Sequence, residues 1–219
     1  MSHCHGEAND HDHDHDHDHG HSHGHSHDAD ADTGIADSLF GKVNTDETWC
    51  LNESVPEAIK TVFKPWHQRL DTTRYVESDA DAELLVFVPF TGMVKLKSIF
   101  VWGRGESAPS EVRVFANRDD LDFDSVGDAR PTQEWALVDQ AREPVEYPVR
   151  AAKFGAVRSL LLHFPASFGA DQTAVYFLAF RGEWTELVDA PVVSVYEAKP
   201  NVADHKAPAG ENFAHHSIS

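Results

Sequence analysis

From residue 84 to residue 198 the chain is a series of short apolar or alternating runs divided by turn formers. LLVFVPF (84–90) is apolar throughout and predicts a strand buried on both faces. VKLKSIFVW (94–102) opens with alternation, Val94 and Leu96 against Lys95 and Lys97, and then becomes wholly apolar. EVRVFAN (111–117) sets Val112 and Val114 on one face against Glu111 and Arg113 on the other. EWALV (134–138), VRSLLLHF (157–164), AVYFLAFR (174–181) and VVSVYEA (192–198) complete the set. Turns are expected at Thr91-Gly92, 103–110, 126–131, Glu143-Pro144 and 168–171. About seven or eight short strands with hardly any helix predict an all-β domain, an antiparallel β-sandwich. Strands alternating with long helices are not seen, which disfavours a dinucleotide-type α/β fold.

Upstream, SVPEAIKTVF (54–63) has a helix-start signature: Ser54 as cap, Glu57 reaching back, Pro56 in the first turn. It predicts a helix of at most two turns before Lys64-Pro65. FKPW (63–66) then reads as a rigid kink with two aromatics packed on the domain, and 33–53 as an entry segment draped over it. After Glu197 periodicity ends. The expected organisation is a disordered tail over 1–33, one domain over 34–206 and a flexible C-terminal tail over 207–219.

Charge narrows the function classes. The chain carries 37 acidic and 18 basic residues, a net −19 at neutral pH. Residues 1–32 hold Glu7 and eight Asp with no Lys or Arg, which leaves about −10 on the rest. This balance argues against nucleic acid, whose phosphates need clustered cations. Lys95, Lys97 and Arg104, and the scattered Arg142, Arg150, Lys153 and Arg158, read as solvated faces. The two cysteines, Cys4 and Cys50, form no C-x-x-C, so dithiol chemistry and a four-cysteine zinc site are excluded. Free thiols suit a reducing compartment. No apolar run reaches the roughly 18 residues of a membrane span. The polar, acidic start is the opposite of a signal or mitochondrial leader. A soluble cytoplasmic protein, also nuclear, is expected.

The most visible chemistry is MSHCHGEANDHDHDHDHDHGHSHGHSHDADAD, with eleven of the sixteen histidines. His3, Cys4, His5, His11, His13, His15, His17, His19, His21, His23, His25 and His27 offer imidazole and thiolate ligands for zinc, nickel or copper. Two readings stay open: metal buffering or delivery by the tail, and a solvated leader that captures divalent transition metals adventitiously. The imidazoles could also make the tail read pH, since they charge near pH 6 to 7. ESDADAE (77–83) and NRDDLDFDS (117–125) gather acids but lack a calcium-loop spacing. No G-x-S-x-G occurs, GRG (103–105) is too short to cradle phosphate, His163 in LLLHF reads as a satisfied core residue, and His67 as a surface one. No catalytic residue and no cofactor are expected, so the chain reads as a non-enzyme. In RGEWTEL (181–187), Arg181, Glu183 and Trp184 form either an Arg–Glu pair with a tryptophan closing the sandwich end, or a protein-binding corner. Phe213, His215 and His216 are the distinctive groups of the C-terminal extension and candidates for a short linear contact.

CLNES (50–54), FKPW (63–66), YVESDADAELLVFVPFTGMVKLKSI (75–99), PSEVRVFAN (109–117), SFGADQTAVYFLAFRGEWTEL (167–187) and YEAKPNVADHK (196–206) together resemble the PITH domain family, in the branch of PITH domain-containing proteins. The resemblance covers roughly residues 35–206. It implies a jelly-roll β-sandwich similar to galactose-binding-like domains. It also implies a non-enzymatic interaction module, because in a thioredoxin-bearing relative this domain attaches to the proteasome regulatory particle. That relative's thioredoxin domain is missing here and the His/Asp tail stands in its place, so redox activity does not carry over. The resemblance supplies no catalytic residue and no sugar motif. The expected partner is the regulatory particle, bound by a monomer, with neither nucleic acid nor membrane involved. Carbohydrate or small-ligand recognition at the sandwich rim is a third reading, supported by fold analogy alone.

Overall fold

The computed structural model describes residues 35–186. Among them the strands are β1 (Trp49–Leu51), β2 (Val76–Glu77), β3 (Leu84–Trp102), β4 (Glu111–Ala116), β5 (Gln133–Ala136), β6 (Val145–Pro148), β7 (Val157–Phe164), β8 (Ala174–Val175) and β9 (Phe177–Glu186). All their pairings are antiparallel. β3 organises the rest. Its first half pairs with β1 and β7, and its second half with β9 and β6. A layer ordered β1-β3-β7-β4-β5 therefore shares β3 with a second layer in which β9 and β6 flank it. The two layers close on one apolar core. Val86, Val114, Leu160 and Leu162 from the first meet Ile99, Tyr147, Leu178 and Phe180 from the second. This is an antiparallel β-sandwich, as the alternation predicts.

Thr91-Gly92, expected as a turn, is instead the interior of that 19-residue strand. The chain does not reverse there; it changes partner. Pairing with β7 loses register between Pro89 and Val94, while pairing with β9 begins at Gly92. The backbone groups freed by one neighbour are taken up by the next, so the strand stays extended.

A second irregularity explains why 94–102 alternates first and then turns apolar. Leu96 faces Gly182 and Ser98 faces Arg181, so Lys97 is an extra residue in β3, a β-bulge. The core face is even-numbered before it (Leu84, Val86, Val88, Phe90, Val94, Leu96) and odd-numbered after it (Ile99, Val101). Gly182 sits opposite the bulge because a Cβ there would collide with the Lys95 carbonyl and press on Leu96.

The outer faces are covered as well, which is why the strands read as continuous apolar runs. Leu85, Phe115 and Leu161 point away from the core and lie beneath Leu121 and Val126. Those two lie in the acidic stretch 117–125 and just past it, where a short helix α1 (Phe123–Val126) forms behind a capping box between Asp122 and Ser125. On the second layer, Phe100, Trp102 and Phe177 are covered by Trp66 and Ile35.

The predicted helix over 54–63 is shorter and tighter, a 3-10 segment Ala58–Val62. Glu57 precedes it in the left-handed region, and Glu53, not Ser54, caps it: its two carboxylate oxygens accept from the Glu57 and Ile59 N–H groups at 2.6 and 3.0 Å. FKPW behaves as a staple. Phe63 enters the main core, Trp66 lies edge-on to Phe100 and Phe177 outside it, and Lys64 between them is fully buried. Its ammonium donates to the carbonyls of Asp71 and Arg74 at 2.7 and 2.6 Å and lies 3.6 Å from the Asp71 carboxylate. The expected strand at 192–198 lies outside the described residues.

Candidate functional site

β9 carries the corner singled out in the sequence. Its edge neighbour is the entry segment: Leu39 N–H donates to Phe180 O, Gly182 N–H to Asp37 O, and Arg181 Nε–H to Ala36 O. Arg181 also pairs with Glu146 at 2.7 Å, rather than with a glutamate of its own strand. Glu183 faces Lys95 and Lys97 at 3.6 and 3.2 Å, and Lys97 reaches Asp37 at 2.8 Å. Hydrogen bonding to Lys97 holds the Glu183 and Asp37 carboxyls below their ordinary range. Trp184 packs against the main core with the Lys42 ammonium 4.3 Å over its ring. The three side chains thus tie the entry segment to β9 and shield that edge. The remaining predicted site residues, His3 to His27 with Cys4, and Phe213, His215 and His216, lie outside the described residues.

A different surface forms where β3 ends at Trp102. Tyr75 and Tyr176 stack at 4.9 Å, and Trp102 lies 5.9 Å from Tyr176. Burial raises the Tyr176 hydroxyl above its usual pKa, with Tyr75 adding to the shift. Arg104 extends over the Tyr176 ring at 6.0 Å. On either side of residues 70–75 lies a depression. One, of about 590 Å³, is lined by Leu70, Trp102, Arg104, Gln140, Ala141 and Arg142. The other, of about 390 Å³, is lined by Val55, Pro56, Ala58, Arg74 and Tyr75 among others. Val55, Leu70 and Tyr75, which line these two depressions, are 61%, 49% and 39% exposed, so apolar surface is open in both.

This surface was hardly legible in the sequence. Arg104, grouped there with Lys95 and Lys97, and the scattered Arg142 both read as solvated cations, 38 positions apart, and only the fold brings their loops to one depression. The signal that could have found it was GRG directly after a strand ending in tryptophan. Lys95 and Lys97, grouped with Arg104 in the sequence, instead face Glu183.

Elsewhere, His163 is buried on the outer face of β7, with Nε2 2.6 Å from Glu83 Oε1 and Nδ1 without a partner among the described residues. Burial lowers its pKa, and the Glu83 hydrogen bond opposes the shift. The Cys50 thiol is pushed far up, chiefly by burial. No group of three or more His, Cys, Asp or Glu among the described residues is placed to hold a metal ion. No helix among them is long and apolar enough to cross a membrane.

The described residues define the class as an antiparallel β-sandwich. Residues 29–200 match the PITH domain. The chain is 43% identical over 178 residues to the PITH domain-containing protein CG6153 of Drosophila melanogaster, covering 80% of this chain and 84% of that protein. It is 41% identical over 175 residues to PITH domain-containing protein 1 of Homo sapiens, covering 79% and 82%. Among solved structures, the CBM32-1 and CBM32-2 domains of Clostridium perfringens ZmpB in complex with GalNAc overlap 66% of this chain and 35% of theirs, at 15% identity and a TM-score of 0.48. The chain belongs to the PITH domain family.

Proposed function

We propose that this chain is a non-enzymatic protein-interaction module that associates, as a monomer in the cytoplasm and nucleus, with the proteasome regulatory particle. The partner is the one implied by the thioredoxin-bearing relative of the family. The observation that carries the reading as a docking module is the exposure of Val55, Leu70 and Tyr75 on the short stretch 55–75, beside stacked aromatics and arginines. Aromatic residues and arginine are the types enriched where proteins dock. The full chain immobilised in cytosol is expected to recover regulatory-particle subunits, and a Val55→Asp/Tyr75→Asp chain to recover far fewer. A folded wild-type chain that recovers none overturns the reading.

A second reading rests on the tail's composition, eleven histidines and Cys4 within the first 27 residues. We propose it as a zinc, nickel or copper buffer or carrier. Titration of zinc at physiological glutathione, with and without residues 1–33, tests it. An affinity weaker than about micromolar leaves the tail a passive leader.

A further inference from the structure

Two depressions among the described residues each gather two guanidinium groups that form no ion pair. One is walled by Arg130, Arg150 and Lys153, but it also contains Glu134, and Lys153 already donates to the Thr132 carbonyl at 2.8 Å. The other, beside Trp102, contains Arg104 and Arg142 and no acidic residue in its lining. The lining of that second depression thus carries two cations and no acid, with Leu70, Trp102 and Ala141 as its apolar part.

Its parts are held in place before any ligand arrives. The buried Trp102 indole donates to the Ala141 carbonyl at 2.9 Å, which pins the loop carrying Arg142 to the strand end. Gln140, next to that anchor, is held in the left-handed region at φ 52°, a conformation that a non-glycine residue adopts only under constraint from its surroundings. Gly105, adjacent to Arg104, has φ 62° and turns the second loop. The Arg104 guanidinium is placed over Tyr176, 6.0 Å from its ring centroid, and Tyr176 is itself stacked on Tyr75. A guanidinium over an aromatic ring and without an ion pair among the described residues keeps its N–H edge open to bidentate contact with a planar anion.

We propose that this depression binds carboxylates: it takes an acidic linear segment of a protein partner, with Asp or Glu side chains on Arg104 and Arg142 and a neighbouring apolar side chain on Leu70 and Trp102. This rests on the reading of the chain as a protein-binding module and adds the chemistry of the partner. A carboxylate segment is favoured over a nucleic acid for two reasons. A polyanion needs many cations along its path, whereas here there are two in an acidic chain. The apolar floor also matches a peptide better than a phosphate backbone.

The test uses the full chain and a fluorescent peptide of alternating Glu and Leu with an amidated C-terminus. Three comparison probes accompany it: the same peptide with Gln for Glu, that Gln peptide with a free C-terminus, and a single-stranded oligonucleotide. The Glu peptide is expected to bind, and to weaken as salt is raised. Binding is expected to fall about tenfold or more in Arg104→Glu/Arg142→Glu. It should persist in Arg130→Glu/Arg150→Glu. Arg104→Gln/Arg142→Gln, with melting curves for every variant, separates lost recognition from lost folding. Equal binding of the Gln peptide or tighter binding of the oligonucleotide overturns the proposal, as does loss in the Arg130/Arg150 variant alone. Binding that depends only on a free C-terminus also overturns it. If the peptide fails while regulatory-particle subunits are still recovered, the carboxylate site falls and the module reading stands; the reverse pattern does the opposite.

Discussion

Lys64 shows how a charged side chain can hold a loop from inside. Its ammonium has three N–H groups and three oxygens around it: the Asp71 and Arg74 carbonyls and the Asp71 carboxylate. Burial lowers its pKa, and the Asp71 charge opposes the shift. Asp71 is in turn held far below the usual carboxyl range, first by the Thr73 hydroxyl and backbone N–H and then by Arg74 and Lys64. Lys64→Met removes the donor and leaves two inward carbonyls unpaired, so a loss of about 2–4 kcal/mol is expected in urea denaturation. A loss below about 1 kcal/mol would show that water or a rearranged loop replaces the ammonium. His163 is another buried titratable group. The neutral tautomer with its proton on Nε2 donates to Glu83 and leaves Nδ1 as a bare lone pair; a second proton at Nδ1 would point into a buried site without an acceptor. The folded-state pKa is therefore lowered, chiefly by burial. The unfolded chain takes up the proton first. The His163 contribution is then fully present above its ordinary pKa of about 6.5 and is lost as pH falls through the lowered folded value. His163→Leu with Glu83→Gln should flatten the decline of Tm between about pH 7.5 and 5.5. An unchanged slope would assign that decline to other groups.

At the scale of elements, the bulge at Lys97 sets the register of the second layer. Its side chain is dispensable to that role, because its ion pairs with Asp37 and Glu183 are solvent-exposed and contribute little. The spacing of the backbone beyond it matters more: inserting an alanine between Ser98 and Ile99 would move Ile99 and Val101 to the outer face and Phe100 and Trp102 inward. The insertion is expected to abolish cooperative unfolding, while Lys97→Ala melts near the wild type. Equivalent melts for the two would contradict the register assigned beyond the bulge. Gly182→Val, opposite the bulge, should cost about 1–3 kcal/mol through its clash with the Lys95 carbonyl. Much of this was legible in the sequence. VRSLLLHF is β7 from end to end, and the apolar run at 84–90 does bury both faces. The illegible part has a common cause. Thr91-Gly92 looks like a turn because local chemistry cannot show that β9 replaces β7 as partner there. Glu53 displaced Ser54 as cap because the β-bridge of Glu53 to Ser78 places its carboxylate under the 3-10 segment. The short strands β1, β2 and β6 are fixed by their partners, not by their own composition.

At the scale of the whole molecule, the surface divides into two kinds of polar region. At β9, charges are satisfied within the fold: Arg181 by Glu146, and Lys97 by Asp37 and Glu183. At the rim beyond Trp102, Arg104 and Arg142 have no acidic partner among the described residues, and Val55, Leu70 and Tyr75 are exposed. The charges at β9 already have partners within the fold, whereas the two arginines at the rim are open to a partner. The corner found by sequence is conspicuous because one strand carries it. The rim is assembled from loops distant in sequence, and no single motif announces it. The central claim is that this chain docks on the proteasome regulatory particle, and direct titration of the full-length chain into purified regulatory particle tests it most simply. The account predicts saturable binding that Val55→Asp/Tyr75→Asp abolishes while the melting curve is retained. No binding by a folded wild-type chain, or undiminished binding by the variant, would contradict it.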